Sequence, residues 1–333
     1  MKFDKLKDVL PLNTPVSILI DPSNVCNFKC TFCPTGNIDM RRKSKRPIGR
    51  MSYELFKKII NDISKFESKI NTIKLYKDGE PLLNKNIYKM INYAKKKNIT
   101  NDLHITTNAS LLNRENTANL INAGIDSIKI SVEHVSNKGY KDITQISHTT
   151  YDDIYNNVAY LYKYKMANNP NVRLHVKIED TGLTKKEIQK FMSDFTPISD
   201  TISIDHLMGW ASTGEQDLTL GVNSDKKTDG SYKSNNEKNV CPTIFYSLSI
   251  SFNGDISPCC IDWNHSLVLG NVNDNSLLEI WNGESVKSFR LDQLMGKHKS
   301  YDLCKSCDYL ASRPSSTNLD SYKHDLIDIY QNN

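Results

Sequence analysis

Six short strand-like runs, separated by helix-like stretches, constrain this chain more than any other feature of its sequence. The runs lie at 16–20 (VSILI), 72–76 (TIKLY), 103–107 (LHITT), 127–132 (SIKISV), 173–178 (RLHVKI) and 201–204 (TISI). Between the first two, Leu55, Phe56, Ile59, Ile60 and Ile63 fall on one face of a helix that Ser52 can cap. Further helices are expected near 86–97, 113–123 and 151–166, the second ending at Gly124, a good residue for a helix C-terminus. Thr184 and Glu187 form a capping box for another. Strands alternating with helices pair in parallel through right-handed crossovers. The series ends near residue 204, short of the ~250 residues typical of a closed eight-unit barrel. The expected fold class is therefore α/β, with a partial (β/α)6 barrel.

Directly after the first run stand Cys26, Cys30 and Cys33. Their spacing supplies three thiolates from one loop and no fourth. A structural zinc or a resting iron–sulfur cluster takes four protein ligands. Three thiolates can hold three irons of a four-iron cube and leave the last iron open to a small molecule. A fragment of a zinc site, or unrelated core thiols, are the plainer readings of such spacing. Asn24, Asn27 and Pro34 suit an irregular loop able to wrap a cluster.

The Cys-x3-Cys-x2-Cys pattern resembles the signature of the radical SAM superfamily. The resemblance implies a [4Fe-4S] cluster on Cys26, Cys30 and Cys33 and S-adenosylmethionine bound at its open iron. It also implies reductive cleavage to a 5′-deoxyadenosyl radical, with an electron donor such as flavodoxin or ferredoxin. An aromatic residue just before the last cysteine, here Phe32, lies near the adenine in that family. The run Asp78-Gly79-Glu80-Pro81 resembles the family's Gly-Gly-Glu-Pro motif, which receives the cofactor's amino group, with Asp78 in place of the first glycine. Asn108, Ser131 and Glu133 end the third and fourth runs, where the family contacts the cofactor's ribose and carboxylate; strand-end capping is the plainer role for each. Ile178 stands where the fifth strand lines the adenine pocket.

A second set of cysteines is C-terminal: Cys241, Cys259, Cys260, Cys304 and Cys307. Phe252-Asn253-Gly254-Asp255 reads as a hairpin turn and 277–283 (LLEIWNG) as a short helix. The arrangement resembles the SPASM or twitch extensions of radical SAM enzymes. That implies an auxiliary [4Fe-4S] cluster on Cys241, Cys259, Cys304 and Cys307, a second beside the one that binds S-adenosylmethionine. Four cysteines also satisfy a zinc knuckle. Cys260 is left over, either as a small buried residue or as a hydrogen-atom donor. The expected division is a barrel at 1–208, a polar linker or substrate-covering loop at 209–240, the twitch/SPASM-like domain at 241–312 and a tail at 313–333.

With 43 Lys+Arg against 38 Asp+Glu, the net charge of +5 is too weak to argue for nucleic acid. The basic run Arg41, Arg42, Lys43, Lys45 and Arg46 reads as a solvated loop. No signal peptide and no membrane-length apolar window stand in the sequence, so a cytoplasmic location is expected. Eight cysteines in a reducing compartment favour metal ligation over disulfides. The expected activity is oxidation of a polar small molecule such as a sugar or aminocyclitol. Epimerisation of a similar substrate and peptide modification are the alternatives, although the 25 residues before Cys26 leave no room for a separate peptide-recognition domain. The non-enzymatic reading is an iron–sulfur or zinc-binding partner protein.

Overall fold

The computed structural model describes residues 5–207, 210, 218–222, 238–305, 307, 309–311 and 313–332. The expected linker or loop at 209–240 lies mostly outside the described residues. All six anticipated strands form: β1 (Ser17–Ile20), β2 (Ile70–Leu75), β3 (Thr100–Thr107), β4 (Ser127–Val132), β5 (Arg173–Asp180) and β6 (Thr201–His206). They pair in parallel, each with its predecessor. The helix Tyr53–Ile63 is capped by Ser52, whose hydroxyl accepts from the Leu55 N–H at 3.1 Å. Its apolar side, Phe56, Ile59, Ile60 and Ile63, is buried. The Thr184–Glu187 capping box is present at the helix Lys185–Phe195. A second box, Thr150 with Asp153, opens the helix Tyr151–Asn168.

Among the described residues the sheet does not close on itself. The second neighbour of β1 is β7 (Ser247–Ile250), which runs parallel to it, with Ser17 opposite Ser247 and Ile20 opposite Ile250. Beyond β7 lie β8 (Asp255–Ser257) and β9 (Gly270–Asn271), both antiparallel. The sheet is therefore a nine-stranded open one, in the order β6-β5-β4-β3-β2-β1-β7-β8-β9. The hairpin between β7 and β8 turns at Gly254, whose φ of 94° costs a residue without Cβ little.

The two faces of the parallel strands differ. One carries Ile18, Ile20, Ile73, Leu75, Leu103, Ile105, Ile128, Ile130, Val132, Leu174, Val176 and Ile178, all fully buried. Each such side chain contributes roughly 1.5–3 kcal/mol by leaving water. The C-terminal part packs onto the same core. Trp281 is buried and its indole N–H donates to the Leu12 carbonyl at 2.8 Å. The helix Lys323–Asn332 buries Leu326 and Tyr330, so the expected tail carries packed structure. Among the described residues no helix is long and apolar enough to cross a membrane.

Candidate active site

The other face of the sheet is polar, which is unusual for parallel strands that normally bury both sides. Register places Ser249, Leu19, Lys74, His104 and Ser127 in one row across it. Nearer the C-terminal strand ends, Thr106, Lys129 and His175 share a row, and so do Ser131, Lys177 and Ser203. Lys129 pairs with Asp205 at 3.1 Å, and Lys177 pairs with Glu179 and reaches Asp205 at 3.6 Å. Burial opposes ionisation of Asp205, but the Lys177 and Lys129 cations outweigh it and hold the carboxyl down to about 2. Burial, helped by Lys74 and Lys129, pushes His104 down to about 3, so it is neutral. Its ring nitrogens face the hydroxyls of Ser127 at 2.8 Å and Thr106 at 3.1 Å. The lysine ammoniums and the Asp205 and Glu179 carboxylates make this wall suited to a polar, hydroxylated molecule.

At the C-terminal strand ends lies the Cys26–Cys33 loop. Burial pushes all three thiols up, and each feels nearby negative groups. Thiols raised in this way become thiolates only when a metal replaces their protons. Two glycines hold the loop close. A Cβ on Gly79 would lie 2.3 Å from the Ser23 carbonyl oxygen and 2.5 Å from that of Val25. One on Gly36 would lie 2.6 Å from the Cys30 carbonyl oxygen. Among the described residues no three His, Cys, Asp or Glu side chains close around one point as a single metal ion requires. The fit therefore rests on donor chemistry and shared placement.

The anticipated cofactor residues divide by what their polar atoms already touch. Glu80 accepts from the Leu82 N–H (3.0 Å) and Thr107 hydroxyl (2.8 Å) on one oxygen and from the Asn108 N–H (2.9 Å) on the other. The second oxygen keeps one acceptor site. Burial still raises this carboxyl to about 7. Pro81 starts a buried turn just after it. The Asn108 side chain is tied to Asn27 of the cysteine loop (3.1 Å) and to Ser110 (2.6 Å). Glu133 is buried, and one of its oxygens has no partner among the described residues. Burial raises it to about 7 against the pull of Lys177. Ser131 is half-buried on the polar face, and Phe32 is half-buried in the loop. Ile178, opposite Val132, lies on the apolar face and is fully buried, away from Ser131 and Lys177.

Asp78 stands apart from these. Its carboxylate accepts from Arg46 at 3.0 Å and Lys77 at 2.8 Å, with His265 at 3.4 Å, and all four side chains are at most 5 % exposed. Burial opposes its charge, yet Lys77, His265 and Arg46 hold it below the ordinary carboxylate range. Arg46 also stacks on Trp263 at 4.1 Å and donates to the Trp263 carbonyl at 2.8 Å. The Trp263 indole donates to Thr35 at 2.8 Å, and the Thr35 hydroxyl donates to the Asp78 carbonyl at 2.6 Å. This buried network ties the cysteine loop to the segment after Cys260. It corrects the reading of the basic run as solvated: Arg41, Arg42, Lys43 and Lys45 are exposed, but Arg46 is buried against a carboxylate and a ring.

Cys241, Cys259, Cys304 and Cys307 line one small pocket with Ile244, Phe289 and Gln293. Cys260 is not among the lining residues. The two adjacent cysteines lie beyond β8, in a turn, so strand alternation does not separate them. The two neighbouring thiols shift one another, Cys260 down and Cys259 up. Cys260 also feels the Arg313, Lys74 and Lys77 cations, which help lower it.

Comparison with known proteins gives this arrangement relatives. The sequence model of the Radical SAM superfamily matches residues 20–193, and that of an iron-sulfur cluster-binding (SPASM) domain matches residues 241–308. The S-adenosyl-L-methionine-dependent 2-deoxy-scyllo-inosamine dehydrogenase of Niallia circulans is 21% identical over 291 residues, spanning 87% of this chain and 92% of that protein. Among solved structures, Streptococcus suis SuiB has a TM-score of 0.65 at 15% identity, over 94% of this chain and 79% of that one. BtrN in complex with AdoMet and 2-DOIA has a TM-score of 0.54 at 18% identity, over 92% and 97%.

Proposed function

Because this chain belongs to the Radical SAM superfamily and carries a C-terminal iron–sulfur cluster-binding domain, we propose that it oxidises a polar small molecule held against the polar face of its sheet. Cys26, Cys30 and Cys33 would hold one [4Fe-4S] cluster with S-adenosylmethionine, and Cys241, Cys259, Cys304 and Cys307 a second cluster. Bound there, these groups supply a hydrogen-abstracting carbon radical at one site and an electron acceptor at the other.

The chain's own residues do the positioning. Glu80, fixed by three donors, offers its remaining lone pair to an ammonium group. Ser131 and the unpartnered oxygen of Glu133 offer hydrogen bonds to hydroxyls. Lys74, Lys129 and Lys177 present donors and the Asp205 and Glu179 carboxylates acceptors to a hydroxylated substrate, while the ring nitrogens of His104 and His175 are held by neighbouring hydroxyls and the opposite face stays dry and apolar. The observation that carries the reading is this polar wall, whose row of Ser131, Lys177 and Ser203 lies towards the C-terminal strand ends, where the Cys26–Cys33 loop follows β1. The similarity to a dehydrogenase along most of both chains supports it.

Anaerobic reconstitution should give roughly eight irons per chain, and about four after Cys26, Cys30 and Cys33 are all replaced with Ala. S-adenosylmethionine cleavage should vanish in the triple variant; its retention would refute the assignment. A product two hydrogens lighter than its substrate is the expected outcome of turnover. One observation favours a second reading, epimerisation: Cys260 is not among the residues that line the four-cysteine pocket. In deuterated water an epimerase would return one solvent deuterium to carbon through that exchangeable thiol. A product of unchanged mass apart from one deuterium, with the label lost in Cys260→Ala, would replace oxidation with epimerisation.

A further inference from the structure

Two arginines next to the four-cysteine pocket have no carboxylate partner among the described residues. Arg290 is only 5 % exposed. Its guanidinium donates to the carbonyls of Ile244 and Trp281, both at 3.3 Å, and stacks on the Trp281 ring at 4.0 Å. One terminal nitrogen has no hydrogen-bond partner among the described residues. The helix that carries it, Glu284–Leu294, also carries Phe289 and Gln293, which line the pocket, and Ile244 lines it too. Arg313 reaches the other side. It donates to the hydroxyls of Tyr309 at 2.9 Å, Thr243 at 3.0 Å and Tyr246. Tyr309 lines the pocket, and the Thr243 hydroxyl lies 3.6 Å from the Cys241 sulfur.

Arg290 is buried and Arg313 half-buried, and a charge withdrawn from water is usually paired with an anion, because leaving it uncompensated in a low-dielectric interior costs up to several kcal/mol. Carbonyls, hydroxyls and ring faces offset only part of that cost. Among the described residues one carboxylate acts on the pocket's thiols: Asp262 is felt by Cys304. Its oxygens are already engaged by Ser257 at 3.0 Å, Ser266 at 2.8 Å and the Leu267 N–H at 3.1 Å. Among the described residues the remaining sources of negative charge are the Cys260 thiol, which acts on Arg313 alone of the two, and the pocket itself, whose four cysteines become four thiolates when they hold metal.

We infer that Arg313 and Arg290 are the counter-charges of the anionic centre held by Cys241, Cys259, Cys304 and Cys307, and that they raise its reduction potential. This rests on the proposed second cluster. Reduction by dithionite adds one electron and one negative charge to that centre, and cations close by favour the more charged product. Arg313, linked through Thr243 to Cys241, has the shorter path and the larger share.

The test is a dithionite titration of the fully reconstituted protein, followed by electron paramagnetic resonance on the signal that S-adenosylmethionine leaves unchanged. Arg313→Gln should lower the midpoint potential of that signal, Arg313→Lys should restore most of it, and Arg290→Met should lower it less than Arg313→Gln. An unchanged potential in both Arg313→Gln and Arg290→Met, with iron retained, overturns the inference. If Arg313→Gln loses iron and Arg313→Lys keeps it, the charge requirement is met by that contrast. If both lose it, Arg290→Met alone decides. Metal analysis of the unmodified protein separates the two readings: zinc in the pocket refutes the second cluster. Competition with a chelator then still reads the charges, through weaker zinc retention in Arg313→Gln; equal retention overturns the counter-charge role.

Discussion

Replacing Arg46 with Met removes a buried cation while keeping an unbranched side chain of similar reach. In the native protein the Arg46 side chain is 1 % exposed and that of Asp78 is 0 %. Orphaning one member of a buried ion pair costs about 3–5 kcal/mol. Here Asp78 keeps Lys77 at 2.8 Å, so the loss falls below that range, at about 2 kcal/mol. The stacking of the guanidinium on Trp263 adds about 1 kcal/mol. A total near 3 kcal/mol is expected, measured by urea unfolding of the metal-free protein at pH 7 and followed by tryptophan fluorescence. Arg46→Lys keeps the charge but loses the planar fork and the stacking, and should cost about 1–2 kcal/mol. Asp78→Asn leaves Arg46 and Lys77 only the nearby buried Asp21 carboxyl as a counter-charge and should cost most. The double variant Arg46→Met, Asp78→Asn should cost less than the sum of the singles, because the second change no longer orphans the first partner. A cost below about 1 kcal/mol for Arg46→Met, or strict additivity in the double variant, would refute a tightly coupled buried network.

Three further outcomes follow from the same geometry. Cys259→Ala should remove the iron held by the C-terminal pocket while Cys260→Ala retains it; iron analysis of the two variants decides, and the reverse result would exchange their roles. Gly79→Ala should disrupt the Cys26–Cys33 loop, since the new methyl meets two backbone oxygens within 2.5 Å; a reconstituted variant with undiminished iron and cofactor cleavage would contradict that. Glu133→Gln should stabilise the metal-free protein at high pH. Burial lifts this carboxyl to about 7, so folding favours its protonated form. That preference weakens stability as pH rises from the unfolded value, about 4.3, through 7, by roughly 3 kcal/mol at pH 8. Thermal melts of Glu133→Gln and the parent should therefore coincide near pH 4 and diverge near pH 8, and parallel melts across that range would count against the shift.

The sequence revealed what local chemistry decides and concealed what distant chain segments decide. Alternating apolar residues located β1 to β6 and the hairpin at Gly254, because side-chain period and turn chemistry are local. The pairing of β7 with β1 was invisible, since SLSI carries no sign of which strand edge it will meet. The same limit explains Arg46. Within a run of five basic residues it looks like one more solvated charge, and only a Trp and an Asp from distant segments make it a buried one. A hint did exist at Asp78, where an ionisable residue replaces the first glycine of the motif that this run resembles. A carboxylate cannot be buried there without cations, and Lys77 beside it supplies only one. A departure from an expected small residue to a charged one, beside a second charge, is therefore a signal to look for a third. At Asp78 that third charge is Arg46, and its stacking on Trp263 joins the loop of Cys26, Cys30 and Cys33 to the segment that carries Cys259 and Cys260.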